Sequence, residues 1–121
     1  MSKKSYCEIR FTIPETEQVR TERFPLHDIS IQGLSFINDH PELSAYFAPT
    51  IEFKDCTLIL DGDTNSYPIH IEVRHKQSLN NKTKDQREKV GCQMHHVTPV
   101  MEAAFLRYMQ GIEREIKQKE L

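Results

Sequence analysis

From Tyr6 to Ile13 the side chains alternate without a break: Cys7, Ile9, Phe11 and Ile13 fall on one face, Tyr6, Glu8, Arg10 and Thr12 on the other. A period of two over this length is a strand with one face in a core and the other in water. Such a strand needs partners for its backbone and cover for its apolar face, and the following segments supply them. Pro14-Glu15-Thr16-Glu17 reads as a turn, and Val19 to Leu26 returns as a second strand, in which Pro25 predicts an edge position or a bulge. Leu34 to Ile37 is a short third strand. Asn38 to Pro49, with two prolines and no firm period, predicts a loop holding at most one helical turn.

A fourth strand, Ile51 to Leu60, and a fifth, Tyr67 to Arg74, flank Asp61-Gly62-Asp63-Thr64-Asn65-Ser66, whose Asp-Gly and Asn residues favour a hairpin turn. In the fifth, Tyr67, Ile69, Ile71 and Val73 point one way and His70, Glu72 and Arg74 the other. Lys76 to Lys89 has only Leu79 as a large apolar residue and predicts an exposed, mobile hairpin tip. Val90 to Val97 is the sixth strand. Thr98-Pro99 then opens a helix over residues 98–118, with Thr98 as N-cap, Pro99 at the first helical position and Glu102 facing the dipole. Met101, Phe105, Tyr108, Met109, Ile112 and Ile116 recur at three and four residues, an apolar stripe read as core packing, and Glu113 with Lys117 and Glu115 with Lys119 make favourable pairs on its flank. Six strands followed by one amphipathic helix predict a mainly β fold, a small antiparallel barrel or sandwich with the helix packed on its mouth or flank.

With 121 residues and 37% apolar content, the chain fits a single domain over 1–121, in which residues 1–8 form an N-terminal arm leading into the barrel. The sixteen Lys and Arg against eighteen Asp and Glu leave a formal charge of −2, which excludes a dedicated duplex-DNA binder but leaves room for a small anionic ligand. Within that balance, six cations and two acids between Arg74 and Lys89 give a local +4, a solvated loop or a surface that steers an anion or an acidic partner. Cys7, Cys56 and Cys92 are far apart and odd in number, so no disulfide framework is expected and a reduced cytoplasmic setting follows. No segment reads as a signal peptide or reaches membrane-spanning length, so no membrane insertion is expected and the Asn81-Lys82-Thr83 sequon is read as unused. His95 and His96 beside Cys92 do not suggest a metal site, because adjacent strand residues face opposite sides. His27-Asp28 has neither a nucleophile at suitable spacing nor a glycine-rich phosphate cradle, so no enzyme is expected.

Asp28-Ile29-Ser30-Ile31-Gln32-Gly33 has the form D-x-S-x-x-G. On an extended segment Asp28 and Ser30 share a side, setting a carboxylate beside a hydroxyl, and Gly33 permits a positive-φ turn into the next strand. The pair either accepts hydrogen bonds from a guanine edge or closes a local Asx or Ser/Thr turn. Together with Val90-Gly91-Cys92-Gln93-Met94 and the Thr98-Pro99 helix, this stretch resembles the PilZ family of bacterial cyclic di-GMP receptor domains. The resemblance covers essentially the whole chain and implies a six-stranded antiparallel β-barrel with a C-terminal α-helix. It also implies a ligand, cyclic di-GMP, with no cofactor. In that family an R-x-x-x-R segment before the first strand wraps over the nucleotide, and the D-x-S-x-x-G strand contacts base and phosphate.

The resemblance carries over Asp28, Ser30 and Gly33 as ligand residues, but its arginine pair falls on Lys4 and Glu8, so that R-x-x-x-R reads K-x-x-x-E. Lys4 offers phosphate a point charge without the planar fork that reads guanine, and Glu8 is an anion where a cation is expected. The chain is therefore expected to be a PilZ signalling adaptor in motility, pilus or biofilm control, with a protein partner and weak or lost nucleotide binding. The alternative is a working receptor that uses Asp28, Ser30, Gly33 and nearby basic residues.

Overall fold

The computed structural model describes the backbone of residues 5–13, 16–79 and 87–120 and, apart from Ile13 and residues 112–120, their side chains. Six antiparallel strands, β1 (Tyr6–Ile13), β2 (Gln18–Ile29), β3 (Gly33–Asn38), β4 (Glu52–Ile59), β5 (Ser66–Ser78) and β6 (Glu88–His95), precede one helix, α1 (Pro99–Glu120). They pair in the order β1-β2-β3-β6-β5-β4, and β1 closes the barrel against β4, with Tyr6 opposite Ile59 and Ile9 opposite Cys56. The six-stranded barrel and terminal helix expected from the sequence are both present.

Alternation fills the interior. Cys7, Ile9 and Phe11 of β1 point inward, as do Tyr67, Ile69, Ile71 and Val73 of β5, while His70, Glu72 and Arg74 point out. One end of the barrel is plugged by a 3-10 helix, Pro41–Phe47, where only a single helical turn was expected. Its Phe47 ring is fully buried, with centroids 5.2 Å from Phe36, 5.5 Å from Phe24, 5.7 Å from Phe53 and 5.8 Å from Phe11. The helix is latched by polar groups rather than capped by its own first residue. The buried Asn38 side chain accepts the His40 N–H and donates to Glu88, whose second oxygen takes the Ser44 hydroxyl. Glu88 is distant in sequence from both Asn38 and Ser44, which is why local pattern under-reads this segment.

At the other end α1 packs Met101, Ala104 and Phe105 into the core, with Phe105 edge-on to Tyr67 at 5.8 Å. The Thr98 hydroxyl accepts the Met101 N–H at 3.2 Å, as the N-cap reading requires. The buried Ser5 hydroxyl contacts Tyr108 Oη at 2.8 Å and accepts the Asp61 N–H at 2.9 Å, tying helix, β1 and the β4–β5 turn together. Gly62 turns that hairpin at φ 85°. The stripe residues Ile112 and Ile116 and the two flanking ion pairs lie outside the described side chains.

Three expectations need correcting. Strand β2 runs on to Ile29 instead of ending at Leu26. A register irregularity between Leu26 and Asp28 follows Pro25, which needs no edge because the barrel is closed. Strands β5 and β6 also extend beyond Arg74 and before Val90, so Lys76 to Ser78 and Glu88 to Lys89 are paired strand rather than loop tip. Finally, residues 6–8 belong to the barrel wall rather than to an arm.

Truncating Phe47 to Ala removes the ring on which four others converge. It is expected to cost about 3–5 kcal/mol, read as a lower denaturation midpoint with an unchanged slope in urea. The three thiols form a second test. Burial pushes Cys56 and Cys92 up to about 12, and burial followed by the neighbouring Cys56 and Cys92 raises Cys7 well above the ordinary thiol range. At pH 8 all three are thus protonated and enclosed, and a thiol-specific reagent should label none quickly in the folded protein and all three after unfolding.

Candidate functional site

The D-x-S-x-x-G residues sit where β2 ends and β3 begins. Asp28, just after the irregularity in β2, lies opposite Ser35 of β3 and accepts its hydroxyl at 2.7 Å, with His27 Nδ1 at 3.4 Å from the other oxygen. Its side chain stays 67% exposed, so lone pairs remain open to a ligand. Ser30 is used differently. Its hydroxyl accepts the Gly33 N–H at 3.1 Å and donates to the Gly33 carbonyl at 3.2 Å, while the Ser30 N–H donates to that same carbonyl at 2.8 Å. This is the local turn that the sequence left as one of two readings.

Gly33 serves another purpose than the one expected. It is not among the positive-φ residues; instead, a Cβ there would lie 2.9 Å from the Cys92 carbonyl oxygen. Glycine is needed for close approach of β3 to β6 rather than for a left-handed turn.

Asp28, Ser30, Gln32, Gly33 and Ser35 line a groove of about 760 Å³ whose far wall is Arg74 and His75 of β5 and Lys89, Gly91 and Gln93 of β6. Arg74 and His75 are sequence neighbours, which a regular strand would send to opposite faces. The shift in β5–β6 register between Val73 and His75 turns both outward, and the His75 ring lies over Gly91, where any Cβ would come within 2.3 Å of it. Arg74 donates to Gln93 and stands 3.5 Å from Glu72. The groove thus sets two cations across from a carboxylate and a turn of polar groups. Its strand-borne cations were missed as site residues, although the +4 between Arg74 and Lys89 was their signal.

Lys4 lies outside the described residues. Glu8, also carried over by resemblance, is not among the residues that line this groove. It stands in β1, bonded to Arg23 Nε of β2 at 2.8 Å, and lines a separate recess of about 180 Å³ with Arg10, Thr21, Asp55 and Thr57.

A third cluster lies on the outside of β4, β5 and β6. Cys92 points into the core, away from His95 and His96, but the two histidines do not diverge as strand alternation predicts. His96 follows the end of β6 at φ 59°, and this left-handed residue brings its ring to 6.3 Å from His95 and 5.5 Å from His70. His70 Nε2 is 2.7 Å from Glu52, holding that carboxyl below its ordinary value, and His95 Nε2 is 2.9 Å from Glu72.

No family model matches the chain. It is 28% identical over 93 residues to the flagellar brake protein YcgR 2 of Dechloromonas aromatica (strain RCB), a match covering 77% of this chain and 37% of that protein. Among solved structures it superposes on MrkH of K. pneumonia in its apo state with a TM-score of 0.77 at 17% identity, covering 98% of this chain and 48% of MrkH. It superposes on the PilZ domain with c-di-GMP of YcgR from Escherichia coli with a TM-score of 0.67 at 16% identity, covering 96% of this chain and 86% of that domain. The chain therefore spans a little over a third of the curated relative and about half of MrkH. No described helix is long and apolar enough to cross a membrane.

The two groove glycines separate backbone from side-chain constraint. Gly33→Ala meets a backbone carbonyl that moves only with its strand and is expected to cost about 1–3 kcal/mol. Gly91→Ala meets a ring that can swing away, and thermal denaturation should show a smaller loss.

Proposed function

We propose that this chain, a PilZ-fold domain, is a signalling adaptor in cyclic di-GMP-linked regulation, whose groove takes the nucleotide weakly. The observation that carries this reading is the division of charge between two places. Asp28, Ser30 and Gly33 open on a groove with Arg74 and Lys89, whereas Glu8 stands in another recess, bound to Arg23. The groove has acceptors for a guanine edge in Asp28 and cations for phosphate in Arg74 and Lys89. What it lacks is the pair of arm guanidinium groups that the family uses to clamp the ligand, since those positions hold Lys4 and Glu8.

The size of that deficit follows from electrostatics. Two unit charges about 4 Å apart interact by about 4 kcal/mol at a near-surface dielectric, and the groove forgoes that attraction at each missing guanidinium, while Glu8 stays paired with Arg23 in the other recess. Each ~1.4 kcal/mol is tenfold in affinity, so losing about a third of one such attraction already weakens binding about tenfold. The flagellar brake relative and the nucleotide-bound PilZ domain support a regulatory role of this class, with the output passed to a protein partner in motility, pilus or biofilm control.

A second reading, a fully working receptor, is favoured by one observation: Arg74, His75 and Lys89 share the groove with Asp28 and can replace the arm's cations from the barrel wall. Calorimetry with cyclic di-GMP separates the two. Weak binding by the natural protein, with a gain of tenfold or more in Lys4→Arg/Glu8→Arg, supports the adaptor. A sub-micromolar dissociation constant in the natural protein, abolished by Arg74→Ala, supports the receptor. Because the double substitution leaves Arg23 without its carboxylate, its thermal midpoint is measured alongside.

A further inference from the structure

Glu52 of β4 is directly opposite Glu72 of β5, and His70 of β5 is directly opposite His95 of β6. The inward side chains of β5 are apolar, so His70 and Glu72, two apart, share the outer face with both cross-strand partners. Carboxylates directly opposite one another on a sheet repel, yet these two are held together under a pair of imidazoles. The His70 and Glu72 side chains are each only 18% exposed, and His95 is 29% exposed. The cations beside them are Arg74, 3.5 Å from Glu72, and Lys54 near Glu52.

We propose that this patch binds a divalent transition-metal ion of the zinc class, with His95 Nε2, Glu72 and Glu52 as ligands and His70 as the fourth. Donor atoms of the first three already lie within 4.8 Å of one another. A tetrahedral zinc ion with bonds of about 2.0–2.2 Å holds its donors roughly 3.4 Å apart, a distance that small rotamer changes of the two glutamates supply. The mixture of imidazole nitrogen and carboxylate oxygen selects zinc and its neighbours over magnesium and calcium, which prefer oxygen alone. The ion replaces the imidazole–carboxylate hydrogen bonds: the Nε2 proton that each ring gives its glutamate is released to solvent, and the ring, protonated on Nδ1, turns the freed Nε2 lone pair to the metal. His96, held over the same patch by its left-handed backbone, covers the site from the β6 end.

Protein stripped with a chelator and titrated with zinc chloride against a chromophoric competitor should take up one equivalent. Co²⁺ in its place should give the visible absorption of a four-coordinate site. His95→Ala and Glu72→Gln should each weaken zinc binding about tenfold or more and erase that spectrum. His40→Ala removes a histidine that also neighbours acids, Glu22 and Glu42, and should leave the affinity unchanged. Circular dichroism confirms each fold, and Glu52→Gln, at a 47% exposed side chain, replaces any variant that fails it. No uptake by the natural protein, or uptake that survives both His95→Ala and Glu72→Gln, overturns the proposal.

Discussion

The pairing of β1 with β4 is the constraint on which the rest of the molecule depends. It turns a six-stranded sheet into a closed wall, so every strand has one face inside and one outside, and no strand is left as an edge among those described. Closure creates an interior that side chains have to fill, and the two ends are sealed differently. Phe47 on the 3-10 helix gathers four aromatic rings at one end, while Phe105 and Tyr108 of α1 close the other through Tyr67 and the buried Ser5. The β2–β3 turn lies at the helix end, because its strands meet there by register.

The groove is made by departures from regular pairing. The irregularity between Leu26 and Asp28 sets the aspartate at the mouth of the turn, and the one between Val73 and His75 turns two consecutive side chains outward. Gly33 and Gly91 then let the walls and the His75 ring come close. Regular strands would have given a smooth barrel with alternating polar residues and no place where a carboxylate, a turn and two cations converge. Glu72 connects this groove to the histidine patch, since it faces His95 on one side and Arg74 on the other.

Alternation made the strands and their inward faces legible from sequence, as in β1 and β5, because period two reports directly on which side is buried. The Asp61-Gly62 hairpin and the Thr98 cap were legible because the turn and the cap are local chemistry. The 3-10 helix was not: its latch joins Asn38, Ser44 and Glu88, contacts that exist only once β3 and β6 are side by side. For the same reason the groove's cations were visible as a charged stretch and not as a site. Whether Arg74 faces Asp28 depends on a bulge and on strand order, neither of which leaves a mark in the spacing. The histidine patch was hidden because its members meet across β4, β5 and β6 by strand register, and His96 joins them through a positive φ that breaks the alternation separating it from His95.

The central claim is that this groove, and not the recess holding Glu8, receives cyclic di-GMP, and receives it weakly. A titration followed by backbone amide chemical shifts tests it most directly. The account predicts small shifts in fast exchange, clustered at Asp28, Ser30, Gly33, Arg74 and Lys89 and absent from Thr21, Asp55 and Thr57. A silent spectrum, slow exchange at low micromolar ligand, or shifts centred on the Glu8 recess would contradict it.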